Sequence, residues 1–154
     1  MRSDRANYER SNAILVVELD VTEEVRMIAR RIRVESGETG HRQALAVELC
    51  DALCDGARID VIRRVTISDA RQWHKKHANR IVFRQYGYYH PVRRYVYITN
   101  RTAARGQLLS AGAFLETLLH EWVHHYDHAK LGLRSIHTSG FYARLRSLKE
   151  ALGI

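Results

Sequence analysis

The sequence predicts an α+β domain with N-terminal helices, a small antiparallel sheet, a long helix and a C-terminal helix. Three observations predict this class. Apolar residues recur at helical spacing before residue 57, β-branched and aromatic residues gather between residues 58 and 100, and helical spacing returns after residue 110. The chain has 154 residues, 45% of them apolar, and no internal repeat or linker divides it. We therefore predict one domain over residues 1–154.

Two helices are predicted in the first third of the chain. Residues 13–19 form either a short strand or a segment that leads into the first helix. Thr22 can cap a helix that begins at Glu23, because its hydroxyl can accept a hydrogen bond from a free backbone N–H. A second helix is predicted over residues 41–55, with Gly56 as its end. The apolar residues that define the two helices are Val25, Ile28 and Ile32, then Leu45, Leu49 and Leu53.

Strands are predicted in the middle of the chain. Residues 59–67 are typical of a strand, and Ser68 can cap a short polar helix that ends at His77. Residues 81–88 and 94–99 are rich in β-branched and aromatic side chains and flank a turn that contains Pro91. This arrangement predicts a β-hairpin.

Two further helices are predicted at the C-terminal end. Ser110 can cap a long helix over residues 111–131, and Gly132 is predicted to end it. A final helix is predicted over residues 139–152. The buried stripe of the long helix consists of Phe114, Leu115, Leu118, Leu119, Trp122, Val123 and Tyr126.

Basic residues are concentrated after residue 56. Residues 1–56 carry 8 basic and 11 acidic side chains, whereas residues 57–154 carry 17 and 6, and the formal net charge is +8. A one-sided positive field favours polyanions, nucleic acid first. Cys50 and Cys54 lie one helical turn apart, and we expect reduced core thiols and a cytoplasmic location. Because no apolar run approaches the ~20 residues of a membrane span, we expect no membrane partner.

The long helix contains the sequence HEWVH, in which His120 and His124 are separated by one turn. Side chains at positions i and i+4 lie on one face of a helix, so both imidazoles can reach one ion. Neutral imidazole is a good ligand for Zn²⁺, and Glu121 beside the first histidine can accept a proton from water. The spacing predicts two zinc ligands and a general base.

A catalytic zinc usually takes three protein ligands, and His137 is the best candidate for the third. Gly132 ends the helix and lets a short loop turn back toward it. His128 competes, but a third residue on the same row lies about 12 Å from the first along the axis, too far to share one ion. Asp127 is a candidate to orient one imidazole N–H.

Other groups are candidates for supporting roles. The strand at residues 94–99 is a candidate to bind a peptide as an added antiparallel strand, with an ordinary edge strand as the alternative. An oxyanion donor is usually needed in peptide hydrolysis. By residue type, the candidates for it are Tyr88, His90, Tyr126 and Tyr142.

Tyrosines and arginines alternate between residues 80 and 105. Aromatic rings and guanidinium groups together are typical of single-stranded nucleic-acid binding, although tyrosines in a hairpin also serve the core. Single-stranded DNA is therefore one candidate partner. The residues are Tyr86, Tyr88, Tyr89, Tyr95 and Tyr97, with Arg84, Arg93, Arg94 and Arg101.

HEWVH, a turn and then HTSGF resemble the catalytic core of the SprT-like (Spartan-type) zinc metallopeptidases, in which a histidine and an aromatic residue follow HExxH. The strand YVYIT also lies where that family has one, and the resemblance covers roughly residues 58–150. It implies a zincin-like fold, zinc bound by His120, His124 and His137, catalysis by Glu121, and cleavage of proteins attached to DNA.

We therefore expect a zinc-dependent metallo-endopeptidase that acts on a protein or peptide substrate, with DNA-associated proteins as one candidate substrate class. The alternative is a basic nucleic-acid-binding module in which zinc is structural and nothing is cleaved. The sequence leaves both open, because the two share the same metal ligands.

Overall fold

The computed structural model describes residues 3–77, 80–85 and 87–154, without the side chains of residues 73–86. The described chain is α+β, as predicted, with five helices and a small mixed sheet. None of the described helices is long and apolar enough to span a membrane. The helices are α1 (Asp4–Ala13), α2 (Glu23–Val34), α3 (Thr39–Ala57), α4 (Ala111–Ala129) and α5 (Ser139–Leu152). The strands are β1 (Arg64–Arg71), β2 (Trp73–His77), β3 (Arg80–Gln85), β4 (Gly87–His90) and β5 (Tyr95–Arg101).

Helix α1 was not predicted from the sequence. Ser3 caps it by accepting a hydrogen bond from the backbone N–H of Ala6, at 3.2 Å. Its buried residues, Asn7 and Ser11, are both polar, so it has no apolar stripe that a periodicity search can detect. After it, residues 14–22 form no strand and lead into α2.

Helices α2 and α3 are confirmed. Thr22 caps α2 by accepting a hydrogen bond from the N–H of Val25 at 3.3 Å. The predicted end of α3 at Gly56 is wrong, because the helix continues to Ala57 and Arg58 adopts the left-handed conformation after it, with φ 57°. Gly56 serves close packing instead: a Cβ there would lie 2.4 Å from the carbonyl oxygen of Asp20.

The sheet is mixed, so the prediction of an antiparallel sheet is wrong in part. Its strand order is β1-β5-β4, with β5 parallel to β1 and antiparallel to β4. Parallel neighbours need a long connection, and the 23 residues between Arg71 and Tyr95 provide one. Local sequence patterns identify strands but do not show which distant strand will pair with which.

Two local predictions in this region are also wrong. Residues 68–77 form the end of β1 and then β2, and not the expected polar helix. They have no apolar stripe that would favour a helix. The expected hairpin exists, but β4 pairs with β5, whereas β3 pairs with β2 in a separate two-stranded sheet. Tyr86 and the side chain of Arg84 lie outside the described residues.

The core lies between the helices and one face of the sheet. Helix α3 packs against β1 and α4 packs against β4 and β5, while α2 contacts both α3 and α4, and α5 contacts α4. Cys50 and Cys54 are buried free thiols within it, as predicted. The inward strand residues are Val65, Ile67, Val96 and Ile98.

Candidate metal centre

Helix α4 fixes the orientation of the first two histidines. Ser110 caps the helix by accepting a hydrogen bond from the N–H of Ala113 at 3.2 Å, which confirms the predicted start. The predicted apolar stripe is buried, including Trp122, which is inaccessible to solvent. With that side fixed in the core, His120 and His124 face a cleft on the other side.

A short loop brings His137 back to α4. Helix α4 ends at Ala129, so the predicted end at residue 131 is two residues too late, and Gly132 lies in the loop that follows. Gly132 has φ +62°, a backbone conformation that favours glycine and turns the chain. The Nε2 atom of His137 lies 3.0 Å from Nε2 of His120 and 3.0 Å from Nε2 of His124. The one candidate ligand atom of each residue lies within 4.8 Å of the others, so this His cluster could hold a metal ion.

Phe141 packs against the imidazole rings of the His cluster. Its ring stacks on that of His124 with centroids 4.5 Å apart, and meets the rings of His120 and His137 edge-on at 4.9 and 5.3 Å. Thr138 caps α5 by accepting a hydrogen bond from the N–H of Phe141, which fixes the backbone of Phe141 in the first turn of the helix. The aromatic residue four positions after His137 therefore limits the rotation of all three imidazoles.

Burial favours the neutral form of the His120 and His124 imidazoles. It lowers the pKa of His120 to about 4 and that of His124 to about 3. Neutral imidazole is the form that binds a metal ion. His124 Nδ1 also lies 2.7 Å from the hydroxyl of Ser135, which leaves Nε2 as the nitrogen that faces the other two histidines.

Glu121 is 5% exposed and lines the same cleft as the three histidines. Burial raises the pKa of its carboxyl to about 7. A carboxyl in that range can both accept and release a proton near neutral pH, which is the property of a general base.

The cleft has a volume of about 610 Å³. It is lined by residues of strand β4 and of the turn with Pro91 and Val92, by residues of α4, and by residues of the loop that carries His137. Among the described strands, β4 pairs only with β5 and is therefore an edge of the three-stranded sheet. Strand β5 lies in the centre of that sheet, so the predicted role of residues 94–99 as an edge for a peptide is wrong.

His128 lines the cleft but is not part of the His cluster, as expected from its distance along the helix. The predicted role of Asp127 is wrong in its direct form, because Asp127 makes no hydrogen bond to an imidazole among the described side chains. Its carboxylate instead accepts hydrogen bonds from Ser135 at 2.7 Å and from the buried Arg144 at 2.8 Å.

The four oxyanion candidates separate into two groups. Tyr126 is buried and its hydroxyl accepts the backbone N–H of Glu18, and His90 Nδ1 accepts the N–H of Arg93 within the turn. Both are thus occupied by structural hydrogen bonds. Tyr88 lines the cleft, but its ring stacks on that of Tyr97, so Tyr142, whose ring lies 6.0 Å from that of His137, is the remaining candidate by position.

Neither Ser135 nor Arg144 was predicted to belong to the site. Ser135 is a small polar residue in the loop between α4 and α5, and Arg144 is an arginine on the predicted last helix, so neither gave a signal of its own. Arg144 is fully buried in the structure, which only the fold can reveal.

Comparisons with protein-family models, curated proteins and solved structures found no match.

Proposed function

We propose that this protein is a zinc-dependent metallo-endopeptidase of the SprT-like type, with a zincin-like fold. The observation that supports it is the convergence of three histidine Nε2 atoms beside a buried glutamate in an open cleft. Two nitrogens bound to one zinc at 2.0–2.1 Å with tetrahedral angles stand about 3.3 Å apart. The 3.0 Å separations fit that geometry with a small adjustment. A set of three imidazoles is also the donor set of some catalytic zinc sites.

The chain's own residues supply the proton transfers. Zinc, when bound, supplies a Lewis acid that polarises the scissile carbonyl and makes water a better nucleophile at neutral pH. We propose that the Glu121 carboxylate accepts a proton from the attacking water. The resulting carboxylic acid then donates that proton to the leaving amine. The burial of Glu121 supports this role, because it limits the water that would compete for the proton.

We propose that the substrate is a peptide segment that pairs with β4. The strand lines the cleft, and the backbone groups of an edge strand can bind an extended chain. Backbone pairing recognises any extended segment, so we expect little dependence on the substrate's sequence. A flexible or unfolded protein is the matching substrate class.

The experiment compares cleavage of an unfolded protein by the wild type, Glu121→Gln and Glu116→Gln, each loaded with zinc. Glu116 is an exposed glutamate of the same helix, paired with Lys149 at 2.9 Å, so its variant is a matched control. We expect the Glu121 variant to bind zinc and cleave at least 100-fold more slowly, while the Glu116 variant resembles the wild type. Equal cleavage by both variants would contradict the proposal.

A second candidate function is nucleic-acid binding on the outer face of the sheet. Tyr88 and Tyr97 stack across β4 and β5 with ring centroids 5.4 Å apart, and Tyr95 meets Tyr88 at 6.0 Å. Arg64 lies over the ring of Tyr95, 5.5 Å from its centroid. Neighbouring tyrosine rings beside a guanidinium favour single-stranded nucleic acid, because bases stack on rings and phosphates pair with arginine.

This candidate is tested by titrating single- and double-stranded DNA oligonucleotides at several salt concentrations. We expect single strands to bind more tightly, with affinity falling steeply as salt rises. Arg64→Gln and Tyr95→Leu should each weaken binding, whereas Tyr8→Ala, on exposed α1, should not. If DNA binds and zinc is held but Glu121→Gln changes no cleavage, the chain is a binding module with structural zinc.

A further inference from the structure

We infer that Ser135 is a positioning residue of the metal site. Its hydroxyl holds the imidazole of His124 in one tautomer and fastens the loop that carries His137 to the carboxylate of Asp127. The inference rests on the proposed metal function, and its test distinguishes failure of one from failure of the other.

The direction of the two hydrogen bonds follows from the groups involved. Ser135 Oγ lies 2.7 Å from Asp127 Oδ2 and 2.7 Å from His124 Nδ1. A carboxylate can only accept, so the single hydroxyl proton of Ser135 is donated to Asp127. The hydroxyl oxygen must then accept a hydrogen bond from the Nδ1–H group of His124. His124 is therefore the Nδ1–H tautomer, with the lone pair of Nε2 directed at the His cluster.

Arg144 keeps Asp127 in the acceptor form. Both side chains are fully buried, and Arg144 donates from Nε to Oδ1 and from Nη2 to Oδ2, each at 2.8 Å. This paired geometry is the strongest arrangement of an arginine and a carboxylate. The negative charge of Asp127 thereby acts on His124 through one hydroxyl and makes Nε2 a better electron donor.

One residue thus acts on two of the three metal ligands. Ser135 contacts His124 directly, and it lies two positions before His137 in the loop. Its bond to Asp127 ties that loop to the last turn of α4, three residues after His124. Loss of the hydroxyl therefore frees the His124 ring and loosens the backbone before His137.

The test measures zinc affinity by competition with a chromogenic chelator for the wild type, Ser135→Ala, Ser135→Thr and Ser147→Ala. The Thr variant keeps the hydroxyl. Ser147 is the matched control, because its hydroxyl also makes two hydrogen bonds, with Val17 N and Arg144 O, at a distance from the histidines. We expect Ser135→Ala to bind zinc about 10–100-fold more weakly, the usual effect of removing a partner of a ligating histidine.

We expect Ser135→Thr and Ser147→Ala to bind zinc as the wild type does. A thermal melt of each metal-free variant separates a stability loss from a metal effect, because only Ser135→Ala should show a reduced gain in melting temperature on adding zinc. Unchanged zinc affinity in Ser135→Ala would overturn this inference and leave the peptidase proposal standing. Absence of zinc binding by the wild type would overturn both.

Discussion

The side-chain amide of Asn7 pairs with the backbone of Arg134, 127 positions further along the chain. Asn7 Nδ2 donates to the carbonyl oxygen of Arg134 at 2.8 Å, and the N–H of Arg134 donates to Asn7 Oδ1 at 2.9 Å. Asn7 is only 5% exposed, so both bonds are shielded from water. Arg134 lies three residues before His137, and the amide therefore fixes the loop that carries the third histidine.

The rest of α1 serves the same loop. Arg10 donates to the carbonyl oxygen of Leu131, and Ser11 Oγ lies 2.7 Å from Thr138 Oγ1. Asn12 Oδ1 accepts from Ser139 Oγ and from the N–H of Gly140. These polar contacts explain why α1 is ordered without an apolar stripe: its partners are the unpaired backbone groups of the loop and the start of α5.

We expect Asn7→Ala to weaken zinc binding while leaving the helix pair His120 and His124 in place. The variant loses both bonds to Arg134, whereas Asn7→Asp keeps the acceptor and should be intermediate. Removing one partner of a buried hydrogen bond lowers stability by about 1–3 kcal/mol, and we expect part of this loss to destabilise the loop conformation that presents His137. Chelator competition measures the affinity. Tyr8→Ala in the same helix is the control. If Asn7→Ala binds zinc as tightly as this control does, the loop keeps its conformation without the hydrogen bonds from Asn7.

Gly140 lies at a close approach of α5 to α1. A Cβ at this position would lie 2.0 Å from the carbonyl oxygen of Ser11 and 2.8 Å from Cα of Asn12, both backbone atoms. We therefore expect Gly140→Ala to lower the free energy of unfolding by about 1–3 kcal/mol, as overpacking does.

Urea denaturation measures the effect, with Gly112→Ala as the control. Gly112 is helical and a Cβ there would have no neighbour within 4 Å, so Ala should stabilise α4 by about 0.5–1 kcal/mol through helix propensity. Equal stability of the two variants would mean that α1 can move away from α5 without cost.

The sequence predicted the parts of the fold that depend on near neighbours. Helices α2, α4 and α5 have apolar stripes and capping residues within a few positions, and the spacing of His120 and His124 brings two ligands together on any helix. The remaining features depend on long-range contacts. Asn7 gains its role only when Arg134 lies beside it, and the parallel partner of β5 is β1, which lies more than 20 residues away.

We expect the stability of the fold to depend on Arg144, which forms a buried ion pair with Asp127. Removing one partner of such a pair leaves an uncompensated charge and costs about 3–5 kcal/mol, so we expect Arg144→Met to be strongly destabilised at neutral pH. Burial raises the pKa of Asp127, and the hydrogen bonds from Arg144 oppose that shift. In the variant, the pKa of folded Asp127 should lie well above its unfolded value.

The folded variant then binds a proton that the unfolded chain releases, so its stability falls as pH rises through the folded pKa. Denaturant unfolding at about pH 5 and about pH 8 should show the stability deficit of Arg144→Met, relative to the wild type, growing with pH. A deficit independent of pH would mean that water or another group neutralises Asp127. Arg146→Met, an exposed arginine on the same helix, is the control.

The identity of the third ligand is tested by His137→Ala beside His128→Ala. Both histidines line the cleft, but only His137 places Nε2 3.0 Å from the other two ligand atoms. We expect the His137 variant to lose bound zinc during dialysis, because two helix imidazoles alone leave the ion half-coordinated. The His128 variant should keep one zinc per chain, measured by elemental analysis of the dialysed protein. Zinc loss in His128→Ala with retention in His137→Ala would place the ion further along α4 and contradict the assigned centre.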